Sequence, residues 1–498
     1  MADYKHGAYG QIQTAGSRVA DDSQSAIVYI GTAPVHTLAD YSGSVNKPIE
    51  VHNIAEARKY FGYSDDWANY TLCEAMHVHF EQKGVGSLIL INVLDPATHK
   101  AQTKTTKSAT PSNGVIVISE AQSAVVSTVT VKTTGQSPTT FVEGTDYSLT
   151  YNADKAQLII RELTDGALGT DALSIEYDTV TPSAVTATTI IGTTDNYGTN
   201  TGLYVINNVY QLTGKIPSYI GAPGWSSIPA VHTAMYQISQ KINGHWDAYM
   251  FVDLPLLNGS TPITLATAAT YKEGNGYNNA NETVFFPMAK GTDGKKYHLS
   301  VLAAANFLEL MLEYDSIPYH TASNTECSII QNLYMGETAT GIVVDDEVIN
   351  NALNKNGIAS AAFVGGRWAI WGSHSADYNA DNGDTVNVSE TNRMMLYYVS
   401  NDFQHRRMID VDKPMTANDL LSIVAEERAR LDSLMRIGAL TYGEVALNAE
   451  MMDRADIMKG DFSFTFSVTT TPLAKSLTAV VSWTEDGFVT YYESIITV

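Results

Sequence analysis

Ser87-Leu-Ile-Leu-Ile-Asn-Val-Leu94 is a continuous apolar run of strand length. A strand without polar alternation is covered on both faces, as an interior strand is when helices pack on either side of its sheet. A similar run, Ala26-Ile-Val-Tyr-Ile30, stands upstream and stops at Gly31. Between them, Asn53-Ile-Ala-Glu56 places an N-cap residue three positions before an acid, which starts a helix running to Phe61. A second helical pattern covers about 67–82 and ends near Gly84, with Cys73 inside it as a buried thiol. Strand, helices, strand predicts an α/β layer.

The layer is interrupted. Residues 98–112 are rich in Thr, Lys, Ser and Ala, and from Gly114 to about Thr189 every signal is a short strand: 115–118, 124–131, 147–151, 157–160 and 173–177. Turn residues such as Asn152-Ala-Asp154 and Asp165-Gly166 separate them, the spacing of a small sandwich or barrel. The α/β pattern then resumes, with a helix from Pro229 to about Ile242, buried strands at 248–254 and 283–286, a helix at about 300–313, and strands at 359–364 and 368–371. The expected organisation is an α/β core (21–100 plus 190–372), an inserted β-sandwich (101–189), an α+β C-terminal domain (373–485), and arms at 1–20 and 486–498. The last region opens on the apolar stretch 394–399. It continues in a helix at about 417–437, announced by Pro414, Thr416 and Asp419 and closed by Gly438, and in two alternating strands, 461–469 and 477–483.

Composition narrows the function. The formal net charge is −23, which argues against nucleic acid and against direct binding to an anionic membrane. Only 17% of residues are charged, against a usual ~25%. With 28 tyrosines, that describes a surface that meets other protein. Two cysteines, no apolar leader and no 18-residue apolar run predict a protein made in a cytoplasm.

Catalytic motifs are missing. There is no Gly-x-x-x-x-Gly-Lys-Ser/Thr loop, no Gly-x-Ser-x-Gly elbow and no His-Glu-x-x-His or Cys-x-x-Cys pair. His77 and His79 are two apart on a helix and point to different sides. Asp377 to Gly383 imitates a calcium loop with its glycine one place late and Val388 where the bidentate acid belongs. Asp345, Asp346 and Glu347 read as a charged loop. No catalytic residue, metal site or cofactor is expected.

The ends carry the strongest functional signal. The tail Phe488-Val-Thr-Tyr-Tyr-Glu-Ser-Ile-Ile-Thr-Val498 is β-branched and aromatic, and an unpaired strand of that kind is an aggregation hazard. The N-terminal arm, with Tyr4, His6, Tyr9 and Ile12 spaced by glycines, cannot build its own core. Both arms, the second through Phe488, Val489, Tyr491, Ile495 and Ile496, are expected to add strands to the sheets of neighbouring copies.

A set of stretches in order along the chain carries a resemblance: His6-Gly-Ala-Tyr-Gly10, Ile30-Gly-Thr-Ala-Pro34, Phe61-Gly-Tyr-Ser-Asp-Asp-Trp67, Asn69-Tyr-Thr-Leu-Cys-Glu-Ala75 and Ile91-Asn-Val-Leu-Asp-Pro96. Ala222-Pro-Gly-Trp225, Lys241-Ile-Asn-Gly-His245, Leu353-Asn-Lys-Asn-Gly357, Gly366-Arg-Trp-Ala-Ile-Trp-Gly372 and Arg436-Ile-Gly-Ala-Leu440 continue it. With these the chain resembles the phage contractile tail sheath proteins. The resemblance implies a non-catalytic, subtilisin-like sheath core and six-fold rings of self-associated subunits around a tail tube. It also implies contraction that drives the tube through a cell envelope. Tail tube, baseplate and tail terminator proteins are the implied partners, and a virion tail assembled in the host bacterial cytoplasm the implied location. It points to the helix at 417–437, with Glu426, Glu427, Arg428 and Arg430, as the contact with the tube. The alternatives are the sheath of a phage-tail-like bacteriocin or other contractile injection particle, an α/β hydrolase, and an α/β binding protein with a carbohydrate-type β module.

Overall fold

The computed structural model describes residues 18–19, 24–337, 344–380 and 388–496. The chain is a mixed α/β protein organised around one eight-stranded sheet. Its strands are β1 (Ser25–Gly31), β2 (Pro48–Val51), β3 (Leu88–Asn92), β4 (Ile216–Gly221), β5 (Tyr249–Asp253), β6 (Glu282–Phe285), β7 (Ile358–Val364) and β8 (Arg367–Trp371). They lie in the order β8-β7-β6-β5-β4-β1-β3-β2. The six inner strands run parallel, and β2 and β8 pair antiparallel at the edges. Every residue of β3 and β5 is buried, because helices cover both faces of a parallel sheet.

Helix α1 (Ile54–Phe61) starts where the N-cap signal places it, with Asn53 Oδ1 accepting from Glu56 N at 2.9 Å. Helix α2 (Leu72–Met76) begins later than the sequence pattern, after a turn containing Trp67, and runs on as a π-helical stretch to Lys83. Helix α3 spans Pro229–Ser239 and α4 spans Leu299–Glu313. The run Ala303–Ala305 is fully buried, small enough to let α4 lie close on the sheet, and Phe307 packs edge-on to Tyr219 at 4.8 Å.

Residues 101–179 form two further sheets. One has three strands (Tyr147–Asn152, Gln157–Glu162, Val115–Ile118) and the other four (Thr105–Ala109, Leu173–Tyr177, Thr130–Thr133, Thr140–Phe141). They enclose a separate apolar cluster that includes Val131, Leu158, Ile160 and Ile175. The chain enters and leaves side by side, with Ala101 N donating to Thr179 O and Thr181 N to His99 O, both at 2.8 Å. Two contacts weld this unit to the main sheet. Val125 is fully buried in the main core, and His36 bonds the Gln122 carbonyl at 2.9 Å through Nε2. Burial lowers the His36 pKa to about 4, so its imidazole is neutral and Nε2 carries the proton. Val180, Val185 and Ile190 also pack in the main core.

The C-terminal region stacks α5 (Glu390–Arg407) and α6 (Ala417–Arg436) against a hairpin of β9 (Leu440–Leu447) and β10 (Phe464–Thr470). The stretch 394–399 lies within α5. Glu390, at the start of α5, is buried and accepts from Thr283 of β6 at 2.7 Å and from Thr321 at 2.5 Å. The segment 477–483 is not a strand, and the tail is helix α7 (Asp486–Ile496). Among the described residues no helix is long and apolar enough to cross a membrane.

Candidate assembly surface

Helix α6 is capped as its sequence dictates. Thr416 Oγ1 accepts from Asp419 N, and the Asp419 carboxylate accepts from Thr416 N at 2.8 Å. Its inner face sets Leu431 and Leu434 against Met395, Leu440 and Val445 in a small separate core. Charge locks α6 to α5. Glu427 is 1% exposed and takes both forks of Arg406, at 2.6 and 2.7 Å, and two bonds from Arg407, at 2.8 and 2.6 Å. Burial works against its charge, but the two guanidiniums hold its carboxyl below the usual range. Arg430 bonds Asp402 and reaches the Tyr398 hydroxyl at 3.0 Å, and Glu426 takes a bond from Arg407 at 2.7 Å. The four residues expected to meet a partner are therefore split. Glu426, Glu427 and Arg430 are spent within the chain, and Arg428 is exposed with no ion pair among the described residues. A run of acids and arginines on a helix reads as an outer face. The partners that turn it inward, Arg406 and Arg407, lie about 20 residues upstream on another helix.

The hairpin β9–β10 is a two-stranded sheet, paired in continuous register from Tyr442 to Leu447 with a bulge between Leu440 and Tyr442. Phe464 and Phe466 pack on Phe403 of α5 at 5.6 and 5.2 Å. The alternate residues Thr465, Ser467 and Thr469 face solvent, and neither edge is paired among the described residues. Beyond β10 the apolar side chains of Leu477, Val480, Val481 and Trp483 are 79–91% exposed.

The arm residues fall into two groups. Tyr4, His6, Tyr9 and Ile12 lie outside the described residues. Phe488, Val489, Tyr491, Ile495 and Ile496 sit on α7 and are 56–63% exposed, so an extended tail is not the conformation of the single chain. As a helix the segment satisfies its own backbone, and Thr484 Oγ1 accepts from Asp486 N at its start.

At the carboxyl ends of the parallel strands, Asp253, His298 and Ser300 come together with Glu74, a grouping their separation in sequence hides. The wiring is not that of a hydrolase. Ser300 donates to the Asp253 carboxylate, not to a base, and is 4% exposed. His298 is held by Glu74, which accepts from its Nδ1 at 2.7 Å and from its backbone N at 2.6 Å. Burial raises the Asp253 pKa. Burial also opposes charge on His298, yet the Glu74 carboxylate prevails and lifts it to about 9. A cationic imidazole cannot act as general base for a serine. His77 bonds Glu81 and His79 bonds Tyr29, so that pair does not converge. Asp345 caps a helix by accepting from Val348 N. Most of the calcium-like loop, 381–387, lies outside the described residues. No group of three metal-ligating side chains forms among those described.

No protein-family model matches the chain. A tail sheath protein of Burkholderia phage BcepMu is 25% identical over 98% of this chain and 98% of its own length. The chain is similar to a tail sheath protein from end to end. Its fold agrees. A chain of the anti-feeding prophage baseplate superposes with a TM-score of 0.55 at 12% identity, over 97% of this chain and all of that one. A chain of the contracted sheath complex of the PVC extracellular contractile injection system gives 0.54 at 11%, over 98% of both. The surfaces left unfinished in this fold are the open hairpin and the unburied tail.

Proposed function

We propose that this chain is the subunit of a contractile tail sheath. It polymerises with copies of itself as six-fold rings around a tail tube, and contraction of that array drives the tube through a cell envelope. The single observation that carries this is the match to a tail sheath protein along essentially the whole of both chains. The particle is a phage tail, or a related injection particle such as a bacteriocin, built in a bacterial cytoplasm. The chain is not an enzyme; the wiring of Asp253, His298 and Ser300 supports that reading. The switch in strand order between β1 and β4 supports a subtilisin-like core, and the separate cluster of residues 101–179 supports a β-sandwich insertion.

The open hairpin explains how copies join. Two strands alone are marginal, and three or more make a stable sheet. The tail of one copy and the N-terminal arm of another supply the missing strands. An isolated 11-residue helix is itself marginal in water, so α7 gives up little when Phe488, Ile495 and Ile496 exchange solvent for a neighbour's sheet. Four or five backbone bonds, each a net ~0.5–1.5 kcal/mol, give a few kcal/mol per arm. The outward face of α6, with Arg428, meets the tube, and the ends of the sheath meet baseplate and terminator proteins. Electron microscopy of the purified chain tests the assignment. Wide tubes are expected, and a chain that stays monomeric at high concentration in every salt tried would count against it.

A further inference from the structure

A cleft of about 610 Å³ opens where the 101–179 unit meets the loops of the main sheet. That volume lies within the usual range of small-molecule sites, about 300–1,000 Å³, and junctions between structural units are where such sites collect. The seam is fixed by Val125 and by the His36–Gln122 bond, so the cleft is formed before any ligand arrives.

The two walls differ. On the main-sheet side the polar groups are largely satisfied. Asp65 accepts from Lys295 at 2.6 Å, and Asn69 donates to Asp66 at 2.7 Å. On the inserted side the exposed side chains of Gln122 and Asp154, and that of Ser123, have no hydrogen-bond partner among the described residues, and half-buried Tyr151, which packs on the apolar cluster of the inserted unit, has no hydroxyl partner among them. Tyr70, from the main-sheet side, is 6% exposed, stacks its ring on His36, and leaves its hydroxyl unpartnered among the described residues. The unpartnered hydroxyl of a largely buried tyrosine at a cleft wall is open to a ligand's hydrogen bond.

The unused groups define the ligand. Three carboxylates, Asp65, Asp66 and Asp154, repel an anion, and the one lining arginine, Arg58, is already engaged by Glu81 at 3.0 Å. A metal ion lacks a ligand set among the described residues. An organic cation would answer the carboxylates but leave the amide and the hydroxyls without work. A ring that carries hydroxyls on its rim and C–H groups on its face answers all of them. Its hydroxyls donate to Asp154 and accept from the Gln122 amide and Tyr70, and its face lies on Tyr151. We propose that this cleft binds a neutral oligosaccharide. The inference stands independently of the sheath assignment.

The full chain is applied to a printed array of neutral and acidic glycans, and a retained glycan is then titrated by saturation-transfer NMR. Retention of neutral glycans is expected. Tyr151→Ala and Asp154→Asn are each expected to weaken the titrated glycan at least tenfold, with the circular dichroism spectrum unchanged. Retention of no neutral glycan, or equal binding by both variants, overturns the proposal. So does binding of oligolysine in place of glycans when it is lost in Asp154→Asn, which makes the cleft a cation groove.

Discussion

The eight-stranded sheet and the C-terminal hairpin treat their edges differently. At one side of the large sheet, β2 is short and begins at Pro48, which has no N–H to offer. At the other side, β8 is covered by the segment 324–327, through Asn324 N to Ile370 O at 2.7 Å and Cys327 N to Trp368 O at 2.9 Å. Strands β9 and β10 have no such cover among the described residues, and the chain that follows exposes Val480, Val481 and Trp483. One half of the molecule is finished as a monomer. The other is finished on one face only, and that asymmetry is what a subunit needs if it is to stay folded while its neighbours are exchanged or moved.

The largest effect should come from removing what the hairpin waits for. Truncation after Trp483, or deletion of residues 2–16, is expected to abolish tubes altogether while the α/β signal in circular dichroism remains. Long ordered sheaths from either truncated chain would remove that arm from the mechanism.

Next comes the clamp that makes the C-terminal region a unit. Glu427 is buried beneath two arginines, so Glu427→Ala leaves two guanidiniums facing an empty site and should cost about 3–5 kcal/mol. The loss should be confined to that unit. Hydrogen exchange should accelerate through residues 390–470 and leave β1, β4 and β5 protected. Equal loss of protection in the large sheet would show that the two regions unfold together.

Much of this division was legible in the sequence. The run at Ser87–Leu94 and the capping signals at Asn53 and Thr416 depend on neighbours a few residues away, and each element formed. What failed depended on distant partners. Thr105–Ala109 carries no strand signal because its residues are polar, and it is a strand because Leu173–Tyr177 lies beside it. The segment 477–483 and the tail have strand-forming side chains, but a strand is a relation between two segments, and within the single chain neither of them pairs with a sheet. Glu427 read as exposed because charge usually is, and the arginines that bury it come from another helix. Asp253, His298 and Ser300 were invisible as a group for the same reason.

The finished half has its own weak point, and pH should find it. The imidazolium of His298 is held by buried Glu74 with a pKa of about 9, raised from its ordinary value near 6.5. A raised folded value stabilises fully below about 6.5 and is lost as pH rises through 9. Denaturant midpoints of the large sheet should therefore hold up to about pH 6.5, fall between there and about pH 9, and level off above it. His298→Ala should flatten that fall and lower stability by up to about 3 kcal/mol, since buried Glu74 loses its partner. A wild-type midpoint that does not move up to pH 10 would mean the pair contributes nothing.

The smallest effect belongs to the outer face of α6. Reversing Arg428 and Arg430 together would confuse two roles, because Arg430 braces α5 through Asp402 and Tyr398. Arg428→Glu alone separates them. The side chain is exposed and unpaired among the described residues, so the stability of the isolated chain should change by less than about 0.5 kcal/mol. An exposed charge pair with a tube subunit contributes only ~0–1 kcal/mol. Such a contact is weak enough to release when the sheath moves, yet it repeats at every subunit. The expected outcome is normal folding, normal self-assembly and a lower yield of tube-filled sheaths, with the deficit shrinking as salt screens both forms alike. Unchanged yield at low salt would take α6 off the tube, whereas a loss of self-assembly would place Arg428 between sheath subunits instead.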